Sequence, residues 1–194
     1  MTDQSDATDQ ASPWTHGALP ANVRVGANTV ITGPDAFKRF RTTKDPGLVI
    51  GESCTMDLTH FSFQPNGQVT IGDFCVFAST VLLCEESITI GNRVAIGWNS
   101  YVLDADFHPM EPVQRLADVF SISGPGVAAG MPRPTVPTAP VVIEDDVWIG
   151  PGCMVFKGVR IGAGSFIEPG SVLTTSVPPR SRVLGNPAKI IGTV

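Results

Sequence analysis

An aliphatic residue returns at every sixth position along much of this chain, often with glycine behind it. The blocks IGESCT (50–55), IGDFCV (71–76), IGNRVA (90–95) and IGWNSY (96–101) share that form, and VGANTV (25–30) is an isolated earlier unit. From residue 143 the series IEDDVW, IGPGCM, VFKGVR, IGAGSF, IEPGSV, LTTSVP keeps phase through six hexads to residue 178. A six-residue period is not helical, because turns of about 3.6 residues would scatter these positions around a cylinder. It fits an all-β parallel β-helix, in which each hexad is a short strand plus a corner and three hexads close one coil. The first residue of each hexad then points inward and stacks on its equivalents in neighbouring coils. The fifth is small or apolar (Cys54, Cys75, Val94, Ser100, Val147, Cys153, Val159, Ser165, Ser171) and reads as a second inward site beside a tight corner. Glycine at the second position suits a corner with unusual backbone angles. An antiparallel sandwich with glycine-rich turns would give variable spacing instead.

Composition agrees with many short strands and frequent corners. Gly and Pro together make 37 of 194 residues, and charged residues only 16%, below the usual share of about 25%. At 42% apolar residues, the chain can bury a core. A net charge of −5 argues against a general nucleic-acid binder, and no stretch approaches the ~18 consecutive apolar residues of a membrane span. The polar, acidic start MTDQSDATDQASP has neither the basic nor the apolar region of a signal peptide. The four cysteines show no close pairing and read as reduced and buried, so a cytoplasmic location is expected.

Residues 1–20 read as a polar, flexible tail, 21–178 as the β-helix, and 179–194 as a short C-terminal segment. Phase slips mark where the coil is disturbed. Ile71 and Ile90 lie 19 apart, which places a one-residue bulge near Glu85 and Glu86. A 35-residue insertion, 108–142, carries seven prolines (Pro109, Pro112, Pro125, Pro132, Pro134, Pro137, Pro140) and cannot belong to the coil. Extruded loops this long are commonly functional.

His108 opens that loop, ahead of Pro109 and behind Asp104 and Asp106. An imidazole there suits a general base working near neutral pH. Of the other two histidines, His16 lies in the tail, and His60 falls at a fifth, inward position of MDLTHF. Trp148 occupies an outward sixth position, unusual for an indole unless something covers it. Lys157, Arg160, Arg180, Arg182 and Lys189 make the late part of the chain basic. No Walker-type loop and no GxGxxG opening a helix is present, so nucleotide hydrolysis and dinucleotide chemistry have no support.

The segments IGNRVAIGWNSYVLDADFHP, VVIEDDVWIGPGCMVFKGVRIGAGSFIEPGSVL and VLGNPAKII together resemble the hexapeptide-repeat acyltransferases. More closely, they resemble the sugar O-acetyltransferase branch that includes maltose and galactoside acetyltransferases. The resemblance covers about residues 48–110 and 141–191. It implies a left-handed coil, a homotrimer and acetyl-CoA bound between adjacent subunits. It makes His108 the general base that takes a proton from a sugar hydroxyl for direct transfer. Glu85 becomes an acidic partner of acceptor and base, with Asp104, Asp106, Trp98 and Asn99 on the acceptor side. Trp148, Lys157, Arg180 and Lys189 fall to acetyl-CoA, with Lys189 in the GNPAK segment against phosphate. No metal is implied.

This start, HGALPANVRVGANTV, differs from the helical N-terminal segment of maltose-type members, and the insertion is longer. Xenobiotic, serine and amino-sugar acceptors therefore stay open, as does a non-catalytic trimeric scaffold, since fold does not imply function. The γ-carbonic anhydrases share the coil but need three histidines on zinc; here the three lie 44 and 48 residues apart.

Overall fold

The computed structural model describes residues 12–106, 108–122 and 133–194. Among them, short strands stack into three sheets of six, eight and five strands, parallel except for one terminal hairpin, the faces of a left-handed β-helix. In the late coils the register is regular. Val142 pairs with Arg160, Trp148 with Phe166 and Met154 with Val172, each 18 apart. Across the insertion, Ile88 pairs with Val141, Ala95 with Trp148 and Tyr101 with Met154, each 53 apart, which is one 18-residue turn plus 35. The insertion is extruded without moving any face out of phase.

The inward rows are dry. Ile71, Phe77, Leu82, Ile90, Ile143, Ile149, Val155 and Ile161 are all at most 1% exposed. All nine small residues at the fifth position are buried too. Their polar atoms find backbone in a neighbouring coil: Ser100 Oγ donates to Gly150 O (3.1 Å) and accepts from Cys153 N (3.2 Å). A buried hydroxyl is tolerable only with such partners.

The glycines serve a different purpose from the one their position suggests. Left-handed φ values fall at the fourth position of the hexad (Ser53, Phe74, Arg93, Asn99, Asp146, Gly152) rather than the second. Second-position Gly51 instead lets coils approach. A Cβ there would lie 2.1 Å from Asp73 Oδ1 and 2.6 Å from Gly72 C.

In the early coils the corners are unequal. Thr59 and Thr80, each fully buried, turn a corner one residue short, so His60 faces outward and is exposed. The inward step from Phe77 to Leu82 is five residues, and the step from Leu82 to Ile90 is eight. The net single-residue surplus is thus one deletion and two additions, the additions lying at Glu85–Glu86. From Phe61 to Ile71 the same corner takes ten residues, and from Val102 to Ile143 it takes 41. In these three coils the surplus gathers on one edge of the prism.

The coil begins before residue 21. Residues 1–11 lie outside the described residues, but Trp14 is only 8% exposed and its Nε1 donates to Gly33 O at 3.0 Å. Its ring meets Phe37 edge-on at 5.0 Å. A solenoid end would otherwise expose core, so an indole lid replaces the expected tail from residue 12 onward. At the other end, Ser181–Gly185 and Ala188–Thr193 form an antiparallel hairpin extending the eight-stranded sheet.

Candidate active site

The insertion leaves the coil through a narrow neck. Asp106 N donates to Pro137 O (3.0 Å), Ala139 N donates to Asp104 O (2.8 Å), and Ala105 bridges Thr138. Inside it, Pro112–Ile122 forms the helix α1, opened by proline, which suits a first helical position. This helix was not anticipated in the proline-rich loop. It is largely exposed, with Val113 75% and Leu116 54% accessible, yet Asp118 is fully buried.

Asp118 is what fixes His108. The His108 ring, half exposed, places Nδ1 2.5 Å from Asp118 Oδ2. Arg133 Nε donates to the other oxygen, Oδ1, at 2.7 Å, and Arg133 Nη1 reaches Glu85 Oε1 at 2.6 Å. Burial alone would raise the Asp118 carboxyl, but the hydrogen bonds from His108 and Arg133 together outweigh it and hold it below the usual carboxylate range. Burial works against the Arg133 guanidinium as well, and Asp118 and Glu85 keep it firmly charged. With Asp118 ionised, Nδ1 is the donor nitrogen of this contact, which leaves Nε2 as the acceptor whenever the imidazole is neutral.

His108, Arg133 and Glu85 line a cavity of about 450 Å³ on the edge where the long corners lie, with Asp118 buried behind them. Its walls also include Arg39, Arg41, Gln64 and Asp106. Lys157 is ion-paired with Asp106, which ties the late coils to the neck.

Asp104 is not on that wall. It points into the coil, fully buried, where its oxygens accept from Glu85 N (2.7 Å), Glu86 N (2.8 Å) and Cys84 Sγ (3.2 Å). Burial raises its pKa despite those bonds. Its carboxylate braces the stretched corner and so sets where Glu85 stands. Trp98 and Asn99 also lie apart, exposed at the corner before the Tyr101–Leu103 strand, one edge away from the cavity. A hexad separates one corner from the next, so sharing a coil with Asp104 does not bring them to its edge. Trp148 is covered by its own chain, stacked on Phe166 at 4.2 Å. Arg180 donates to Val194 O at 3.0 Å, and Lys189 is exposed on the terminal hairpin. Cys153 is fully buried, and burial raises its thiol pKa, so it presents no nucleophile.

Asp118 and Arg133 escaped the sequence reading. The available signals were an acid within the mostly apolar stretch ADVFSI and an arginine between Pro132 and Pro134.

Comparison with known proteins places this framework. The profile of the bacterial transferase hexapeptide (six repeats) family matches residues 140–175. A hexapeptide-repeat containing acetyltransferase from Vibrio cholerae is 33% identical, with 72% of this chain and 69% of that one covered and a TM-score of 0.56. The chain belongs to the hexapeptide-repeat acetyltransferase family. Another structure of that Vibrio cholerae protein, complexed with acetyl-CoA, is matched at 26% identity over 89% of this chain and 70% of that one, TM-score 0.55. The 2,3,4,5-tetrahydropyridine-2,6-dicarboxylate N-acetyltransferase of Staphylococcus aureus is 46% identical over 66 residues, 34% of this chain. This hexapeptide-repeat chain spans only 27% of that relative, and 42% of a Schizosaccharomyces pombe relative that is 38% identical over 104 residues.

Proposed function

We propose that this chain is an acyltransferase that moves an acetyl group from acetyl-CoA to a hydroxyl of a sugar or glycan precursor, as a homotrimer. The His108–Asp118 pair at the cavity edge carries the reading. His108 Nε2 takes the hydroxyl proton as the oxygen attacks the thioester carbonyl, and the tetrahedral intermediate expels CoA thiolate. The imidazolium returns the proton to the thiolate, leaving ester, CoA thiol and neutral imidazole. Asp118 and Arg133 act as positioning residues. Glu85 keeps one oxygen on Arg133 and offers the other to the acceptor, and Asp106 lines the acceptor side. Lys157, Arg180, Lys189 and the Trp148–Phe166 stack are assigned to the donor side.

An amine acceptor is the second reading, favoured by the Staphylococcus aureus relative, whose name makes it an N-acetyltransferase. The same base serves both. CoA release should be followed over matched hydroxyl and amino sugars, with hydroxylamine treatment of the product: an ester is cleaved, an amide survives. If none of the acceptors is acetylated while light scattering gives a trimer, the scaffold reading stands instead; an active monomer would overturn the homotrimer.

A further inference from the structure

The cavity has a second end. Residues 39–41 run alongside Phe61–Phe63: Phe40 bridges Phe63 in parallel, Arg41 N donates to Phe63 O (2.9 Å) and Phe63 N to Arg39 O (3.1 Å). Phe40 turns inward onto Phe37 and Phe63, and Thr42 Oγ1 donates to buried Gly67 O at 2.6 Å. Strand alternation then sends Arg39 and Arg41 to the other side, both exposed and both on the cavity wall with His108.

Their charge is not neutralised within the structure. Glu85 is engaged by Arg133 and Asp106 by Lys157, and neither Arg39 nor Arg41 forms an ion pair with a described residue. Arg39 and Arg41 stand at i and i+2, roughly 7 Å apart at Cα along an extended segment, and each planar guanidinium carries a fork of donors that grips phosphate or carboxylate. The strand of Arg39 and Arg41 lies three strand spacings from Tyr101–Leu103, from which the neck of His108 departs. At about 4.8 Å per spacing this is on the order of 14 Å.

We propose that Arg39 and Arg41 bind the anionic group of the acceptor whose reacting group lies at His108. Such an acceptor is an elongated phosphate- or carboxylate-bearing molecule, a sugar phosphate or larger, rather than a bare neutral sugar. The assignment to an acceptor rests on the acyltransferase reading; the anion site itself does not.

The test uses the full chain and an Arg39→Gln/Arg41→Gln variant, whose substituted side chains make none of the inward contacts. Inorganic pyrophosphate and acetyl-CoA are titrated calorimetrically into both. Pyrophosphate affinity should fall about tenfold or more, as expected for lost charge-assisted bonds, while acetyl-CoA affinity holds. In kinetics, KM for a phosphorylated sugar should rise by about the same factor, with kcat and the KM of its neutral counterpart nearly unchanged. Equal pyrophosphate binding by both proteins overturns the site. A parallel loss of acetyl-CoA binding hands the arginines to the donor and overturns the acceptor assignment. If the wild type acetylates none of the acceptors offered while the pyrophosphate difference persists, the anion site stands and the acyltransferase reading falls.

Discussion

The late coils and the crowded edge of the early coils solve different problems with the same repeat. From Val141 to Leu173 each corner advances six residues, every inward position is apolar or a small, satisfied polar group, and charges pair on the outside. On the edge that runs from Arg41 through Glu85 to His108, corners take eight, ten or 41 residues, and a carboxylate, Asp104, occupies an inward position. Regularity buries core; irregularity gathers side chains of unlike charge around a cavity. Because the surplus of these coils sits at one corner, the three faces keep register beside the site. The lesson is positional: in a solenoid, chemistry collects where extra residues leave the ladder without breaking it.

The largest expected effect lies at the irregular edge. His108→Ala should lower kcat about 10²–10⁴-fold, or roughly 2.7–5.4 kcal/mol of transition-state stabilisation. Thermal stability should change little, since the ring is half exposed. A variant that keeps more than about a tenth of the rate on the identified acceptor would move the base elsewhere. Next comes the opposite pattern. Ile149→Ala, in a fully buried row of the late coils, should cost about 2–5 kcal/mol of unfolding free energy through its cavity. Its KM values should stay near wild type as long as the protein is folded, as denaturant melts run beside kinetics would show.

Asp118→Asn joins the two regions, because this buried acid belongs to the site and to the fold. Loss of the carboxylate should cut kcat by about ten- to a hundredfold and alter the pH profile that reports His108. The folded-state carboxyl is held below its ordinary value, so its contribution to stability is present above the unfolded value, about 3.9, and disappears as pH falls through the folded one. The stability gap between wild type and Asp118→Asn should therefore be open at neutral pH and close in acid. A gap independent of pH would show that folding leaves the Asp118 carboxyl at its ordinary value, with no net gain from His108 and Arg133.

What could be read beforehand divides along the same line. Inward rows, fifth-position corners and the length of the insertion were legible because each rests on a local period of six, and the 53-residue offset of all three faces confirms the insertion's 35 residues. His60 was misplaced because a corner one residue short preserves the look of the repeat while reversing the side chain. Asp104 was read as an acceptor-side residue, since nothing local shows that the carboxylate turns inward to the amides of Glu85 and Glu86. Asp118 and Arg133 meet His108 only through the fold of the insertion, where no period operates. His108 itself was legible from its place between coil and loop. The Asp118 that orients it was not.

The smallest expected effect sharpens the contrast between charges. Arg182 pairs with Glu168 at 2.6 Å on the outside of the late coils, the arginine 56% exposed. Arg133 holds its two carboxylates at 26% exposure, with one of them fully buried. With Glu168 17% exposed but the arginine head mostly in water, the pair gains modest Coulomb energy, orders two long side chains and is screened by salt, so Arg182→Met should change stability by about 1 kcal/mol or less. That small difference should shrink further as salt is raised. Arg133→Met leaves the buried Asp118 charge with one partner fewer, and its penalty should be larger and persist in salt, because buried charges are screened much less. Urea melts of both variants at low and high ionic strength decide it. If the two substitutions cost the same and fade together in salt, the Asp118–Arg133 pair behaves as surface charge, and the distinction between a paired exterior and a cavity built on buried charge fails.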